Sequence, residues 1–121
     1  MNDAPRTNAE IRKWYLEQVA RIPELNRQWL AQGLSARERA EAAWRIRHEA
    51  RLVARAMMID PAEVALLQAR DLAEYGNPDG PTFEFLVEKL KDAGLEGDGV
   101  YEAIVEGSYR TSAGVNRKLR L

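Results

Sequence analysis

Apolar residues recur along this chain at helical spacing. Nowhere do they show the alternation of period two, with β-branched enrichment, that a strand needs. The first stripe is Ile11, Trp14 or Tyr15, Val19 and Ile22. It opens on Thr7 and Glu10, a capping box in which the hydroxyl takes an orphan N–H and the carboxylate reaches back. This predicts a helix from Asn8 to Arg21, ended by Pro23, which lacks an N–H and clashes with the preceding turn. A second helix, Glu24 to Gln32, carries Leu25, Trp29 and Leu30 and stops at Gly33. Ser35 and Glu38 form another capping box, before the longest helix, Ala36 to Met58. Asp60-Pro61 starts a fourth helix with proline at its first position; its apolar set is Val64, Leu66, Leu67, Leu72 and Tyr75, and Gly76 ends it.

Asn77-Pro78-Asp79-Gly80-Pro81 is the one strong loop, dense in residues that set turns. Thr82 then caps a helix over Phe83–Ala93, with Phe83, Leu86, Val87 and Leu90 on one face. Asp98 is expected to cap a shorter helix over Gly99–Glu106, with a break at Gly107-Ser108 and a last short helix after Ser112. The fold expected is all-α: a compact single-domain bundle of about six to seven helices over residues 1–121, with one long central helix and residues 1–7 as a disordered tail. The three tryptophans, Trp14, Trp29 and Trp44, read as core residues and not as base-stacking platforms.

The chain lacks cysteine, so disulfides and thiolate metal sites are excluded. No apolar run approaches the roughly 20 residues that span a bilayer, so no stable membrane association is expected. No apolar stretch follows Met1-Asn2-Asp3, so no signal peptide is expected. The net charge is −1, but it is unevenly spread. Residues 35–59 carry six arginines and three acids, residues 61–107 three basic groups and eleven acids, and residues 108–121 four basic groups and no acid. A polyanion would meet the basic parts while the acidic belt faces elsewhere, because local field steers ligands more than net charge does. An ordinary mixed surface is the other reading.

On the long helix Arg47, Arg51 and Arg55 stand at i, i+4 and i+8, with His48 and Arg45 beside them. Like charges at this spacing repel by roughly 0.2–0.5 kcal/mol per pair. The row is therefore either paired with acids from another helix, Asp71, Glu74, Glu84 and Glu88 being available, or held ready for an anion. His48 is the only histidine, and imidazole exchanges protons near neutral pH without a large shift. A histidine beside several arginines is the minimum kit for metal-independent RNA cleavage, although a lone histidine on a helix is more often a structural hydrogen-bonding residue. One histidine and no cysteine leave only carboxylates as further metal ligands, so no metal and no cofactor are expected. Asp79-Gly80-Pro81-Thr82 reads as a rigid turn, with the alternative that Asp79 and Thr82 edge a pocket.

The runs Arg47-His48-Glu49-Ala50-Arg51 and Ala54-Arg55-Ala56-Met57-Met58, the stretch from Ala69 through Arg70-Asp71 and Tyr75-Gly76-Asn77-Pro78-Asp79-Gly80-Pro81-Thr82 to Phe83, and Gly107-Ser108-Tyr109-Arg110-Thr111 followed by Val115-Asn116 form a recognisable combination. Together they resemble C-terminal toxin domains of bacterial polymorphic toxins, of the Rhs and filamentous-haemagglutinin contact-dependent kinds, over about residues 10–121. The resemblance implies a cytotoxic domain, secreted or delivered as part of a larger toxin, that acts in the target-cell cytoplasm and is neutralised by a cognate immunity protein. Such domains are commonly nucleases. The sequence pI near 5.9 departs from the basic character of many nuclease toxins.

The expectation is a metal-independent, RNase-like nuclease. His48, Arg51 and Asp71 are the catalytic candidates, and Arg47, Arg55, Arg70, Tyr75, Asp79, Thr82 and Arg110 the substrate-binding ones. The alternatives are a non-enzymatic helical interaction module, of adaptor or immunity type, and an NAD- or nucleotide-directed toxin enzyme.

Overall fold

Local end signals set the helix boundaries in the computed structural model, which describes residues 7–110. Helix α1 spans Asn8–Val19. Thr7 caps it reciprocally: its hydroxyl accepts from Glu10 N at 3.1 Å and its own N–H donates to Glu10 Oε1 at 3.0 Å. Thr7 is thus part of the helix entry and not of a tail; residues 1–6 lie outside the described residues. Helix α2 spans Ile22–Ala31 and begins earlier than expected, because Pro23 sits in its first turn, where no N–H is needed. Only Ala20 and Arg21 separate it from α1.

The central helix α3 spans Ala36–Met57 behind the Ser35–Glu38 capping box. Helix α4 spans Pro61–Tyr75; Asp60 Oδ1 accepts from Ala62 N at 2.9 Å, and Gly76 closes the helix at φ 71°, a left-handed conformation open to glycine. Helix α5 spans Phe83–Asp92, with the Thr82 hydroxyl accepting from Phe85 N at 3.1 Å. Helix α6 spans Asp98–Tyr109. Two expectations about α6 fail. Asp98 lies inside the helix and caps nothing with its side chain, and Gly107-Ser108 does not break it. Ser108 continues the helix and donates its buried hydroxyl to Ile104 O at 2.7 Å. The short helix expected after Ser112 lies outside the described residues.

Six α-helices, and no strand among the described residues, make the fold all-α. The core is built where α3 meets α1 and α6, the two broadest helix contacts. Helix α3 contributes the alanines Ala40, Ala43, Ala50 and Ala54, whose small side chains let its neighbours approach closely. Helix α1 answers with Ile11, Tyr15 and Val19 at i, i+4, i+8, α2 with Ile22, and α6 with Val100, Ile104 and Val105. Burying each of the larger groups contributes about 1.5–3 kcal/mol. The tryptophans pack against this core half-buried, not within it.

Helix α4 departs furthest from its pattern. Its only buried residue is Asp71, while Leu66 and Leu72 are 69% and 54% exposed. The helix rests on its neighbours along too narrow a line for its leucine face to be covered. Among the described residues no helix is long and apolar enough to cross a membrane.

Candidate functional site

Three arginines of α3 are buried, Arg39, Arg51 and Arg55, and burial demands partners for each. Arg39 has them at its two terminal nitrogens: they grip Glu102 through two bonds, of 3.0 and 2.6 Å, and reach Asn26 Oδ1 at 3.1 Å, while its Nε is buried with no partner. Arg55 has them too. It forms a buried ion pair with Asp71 and donates to Pro78 O at 2.7 Å. Arg51 is only 4% exposed, yet it makes no ion pair or hydrogen bond among the described residues, and its Nε is buried with no partner. Burial pulls the Arg51 pKa down; Arg47 and Arg55 add to this, while Tyr15 and Asp71 oppose it. The Tyr15 hydroxyl is itself buried and without a partner.

Arg51 faces a cavity of about 290 Å³ between α3, α5 and α6. The α3 wall supplies Trp44, Arg47, His48 and Arg51; α5 supplies Leu86, Lys89 and Leu90; α6 supplies Ala103, Ile104, Gly107 and Ser108. Tyr75 and Pro81 complete the lining. No carboxylate is among these residues, while three are cations. Arg47 is pinned to the α6 wall, donating to Gly107 O at 2.6 Å. His48 is half-buried and stacks on Trp44, with ring centroids 4.8 Å apart and planes 14° off parallel. The Trp44 indole is fixed in turn by donating Nε1–H to Pro81 O at 2.9 Å. Burial first, and then Arg51, holds the His48 imidazole below its ordinary pKa of about 6.5; Asp79 and Glu49 oppose this, and Arg55 adds to it. The neutral ring, able to accept a proton, is therefore the form present at pH 7.

The loop between α4 and α5 is fastened to the same ridge of α3. Pro78 O takes Arg55, Pro81 O takes Trp44, and between them Gly80 lies against Arg51. Gly80 adopts φ 103°, and a Cβ there would collide with the Arg51 guanidinium. Of the two readings of Asp79-Gly80-Pro81-Thr82, the structure has the turn, and neither Asp79 nor Thr82 lines the cavity. The turn is tied by Asp79 N–H donating to Asn77 Oδ1 at 2.8 Å, and Pro81 lines the cavity.

Of the residues expected to act together, Arg47, His48, Arg51 and Tyr75 meet at this cavity. The others do not line it. Arg55 and Asp71 pair in the interior through Asp71 Oδ2, so the expected catalytic aspartate is an internal counter-ion, although its Oδ1 is buried with no partner. Arg70 lines a separate surface groove with Asn8, Arg12 and Glu63. Thr82 is committed to capping α5, Asp79 stands close enough to His48 to act on its charge, and Arg110 pairs on the surface with Glu106 at 3.1 Å. Trp44, expected in the core, and Lys89, not singled out at all, belong to the lining. Lys89 sits in the last turn of α5, where a lysine is equally explained by the helix dipole, so the sequence held no signal to separate the two roles. Among the described residues no group of three or more His, Cys, Asp or Glu is placed to hold a metal ion. No protein-family model, curated protein or solved structure matches this chain.

Proposed function

We propose that this chain is the cytotoxic effector domain of an interbacterial toxin, a metal-independent nuclease that cleaves RNA at the His48–Arg51 cavity and is neutralised by a cognate immunity protein. The observation that carries the reading is Arg51: the other two buried α3 arginines, Arg39 and Arg55, each hold a carboxylate in an ion pair, whereas Arg51 holds none and faces a cavity with no carboxylate on its walls. A buried cation without a counter-ion is costly, and a phosphate oxygen entering the cavity would supply both the charge and the hydrogen-bond acceptors that the guanidinium lacks.

The chemistry that suits these groups is transesterification. The neutral His48 imidazole takes the proton of a ribose 2′-hydroxyl, and that oxygen attacks the adjacent phosphorus. The new P–O2′ bond forms as the P–O5′ bond breaks. The leaving 5′-oxygen takes a proton from solvent, and the imidazolium returns its own. Arg47 and Arg51 face the charge that develops on the phosphoryl oxygens, in a site shielded enough for those contacts to be strong. The products are a 2′,3′-cyclic phosphate and a 5′-hydroxyl.

Expressed alone in bacteria, the chain is expected to arrest growth and degrade cellular RNA, and His48→Ala to abolish both while retaining its helical circular dichroism. A folded His48→Ala variant that still arrests growth removes the base from the mechanism. The cleavage rate should rise with pH below about 6.5 and be flat through neutrality, because the folded imidazole is held below that value. The same group sets a stability trend. The unfolded chain takes up a proton near pH 6.5 that the folded chain resists, so the His48 contribution is fully present above 6.5 and is lost as pH falls through the lower folded value. In His48→Gln, which does not titrate, that part of the acid sensitivity should vanish.

A further inference from the structure

We infer that the cavity accepts one unpaired nucleotide at a time, with its phosphate on Arg47 and Arg51 and its base against the apolar α5 wall, so that the substrate is single-stranded and a duplex is excluded. The inference rests on the nuclease reading and adds the form of nucleic acid it acts on.

The depth of Arg51 carries it. A guanidinium only 4% exposed cannot reach the phosphates of a rigid duplex lying on the surface; the phosphate has to enter the cavity. A volume of about 290 Å³ is at the lower end of small-molecule pockets, which start at about 300 Å³, and admits one nucleotide and not a helical turn. Double-stranded RNA is bound by proteins that lay shape-matched surface along its minor groove, whereas unpaired bases can be splayed out and inserted.

The walls divide by chemistry as one nucleotide would require. Helix α3 brings Arg47 and Arg51 to one side, and α5 brings Leu86 and Leu90 to another. Between them stands the Trp44 indole, held in one orientation by Pro81 O and by its stack on His48. An apolar wall with a fixed aromatic takes the face of any base, which is why such sites bind single strands with little sequence preference.

The intact chain can be titrated with inorganic phosphate, with uridine 3′-monophosphate, and with a decamer of 2′-deoxynucleotides, which lacks the attacking hydroxyl, both as a single strand and as a blunt duplex at the same ionic strength. Isothermal titration calorimetry gives the affinities, and the part of the tryptophan fluorescence change that is lost in Trp44→Phe reports on Trp44. The mononucleotide should bind at least tenfold tighter than phosphate, the single strand at least tenfold tighter than the duplex, and Arg51→Met should lose all of these. Equal affinity for strand and duplex, or for phosphate and mononucleotide, overturns the inference. Cleavage assays on ribose strands distinguish the two levels. Scission of duplex RNA leaves the nuclease reading standing and removes this one. Selective single-strand binding without scission supports the ligand class and removes the catalytic reading.

Discussion

Replacing Asp71 by alanine should destabilise the fold by about 3–5 kcal/mol, a large part of the stability of a chain this size. The Asp71 carboxylate is 1% exposed and faces Arg55, 5% exposed, across a buried ion pair. Removing it takes away the buried carboxylate that answers the Arg55 guanidinium in a low-dielectric interior, which is the costly half of breaking such a pair. The bonds from Arg55 to Pro78 O and from Trp44 to Pro81 O would still fasten the loop before α5. The double variant Arg55→Met/Asp71→Leu, which removes both charges and fills the space, should recover most of the loss. Urea unfolding followed by circular dichroism measures all three proteins. A loss below about 1 kcal/mol for Asp71→Ala would mean that the pair is effectively solvated, as exposed pairs are. Loss of toxicity in Asp71→Ala is thus expected as a failure of folding, and it would not make the aspartate catalytic.

Arg51→Met is expected to act in the opposite sense one helical turn away. Methionine keeps the aliphatic stem and removes a buried charge that forms no ion pair, so stability should be unchanged or raised, by as much as about 2 kcal/mol. The cleavage rate should fall by about 10²–10³, the usual cost of losing one preorganised donor to a developing oxyanion. This opposition of signs is what marks a site residue. Groups kept for chemistry are held in arrangements that stability alone would not select. If Arg51→Met lowered stability by several kcal/mol, the guanidinium would be serving the fold, and the cavity would lose its claim to be a site.

The parts of this structure that could be read along the chain are those decided within a few residues. Both capping boxes, the Thr82 cap and the left-handed Gly76 follow from side chains that reach only three or four positions. The arginine row was legible as a row, because i, i+4, i+8 fixes a common direction on any helix. Which arginine meets a carboxylate was not, since that depends on where α4 lies against α3. The choice between pairing and readiness for an anion proved to have a different answer at each step of the row: Arg55 is paired, Arg51 is not, and Arg47 is bound to a carbonyl. Leu66 and Leu72 of α4 misled for a related reason. Helical periodicity states that a face is apolar and is silent on how much of it a neighbour covers. Gly80 reads as a turn glycine from its neighbours, and only the packed structure shows that it also makes room for Arg51.

The thin seating of α4 has a mechanical meaning. Leu66 and Leu72 contribute little to its hold, Leu67 packs against the core only half-buried, and Asp71, in its pair with Arg55, is the one residue of the helix that is buried. Regions with few buried apolar contacts open at a fraction of the free energy of global unfolding. The two sides of the cleft therefore differ in stiffness. His48, Arg47 and Arg51 stand on the beam at the centre of the molecule, whereas Tyr75 stands at the end of its softest member. A ligand entering there would meet an unyielding electrostatic face on α3 and, at Tyr75, an aromatic able to give way, so the cations could hold their places while that one part of the lining adjusts to the size of what arrives.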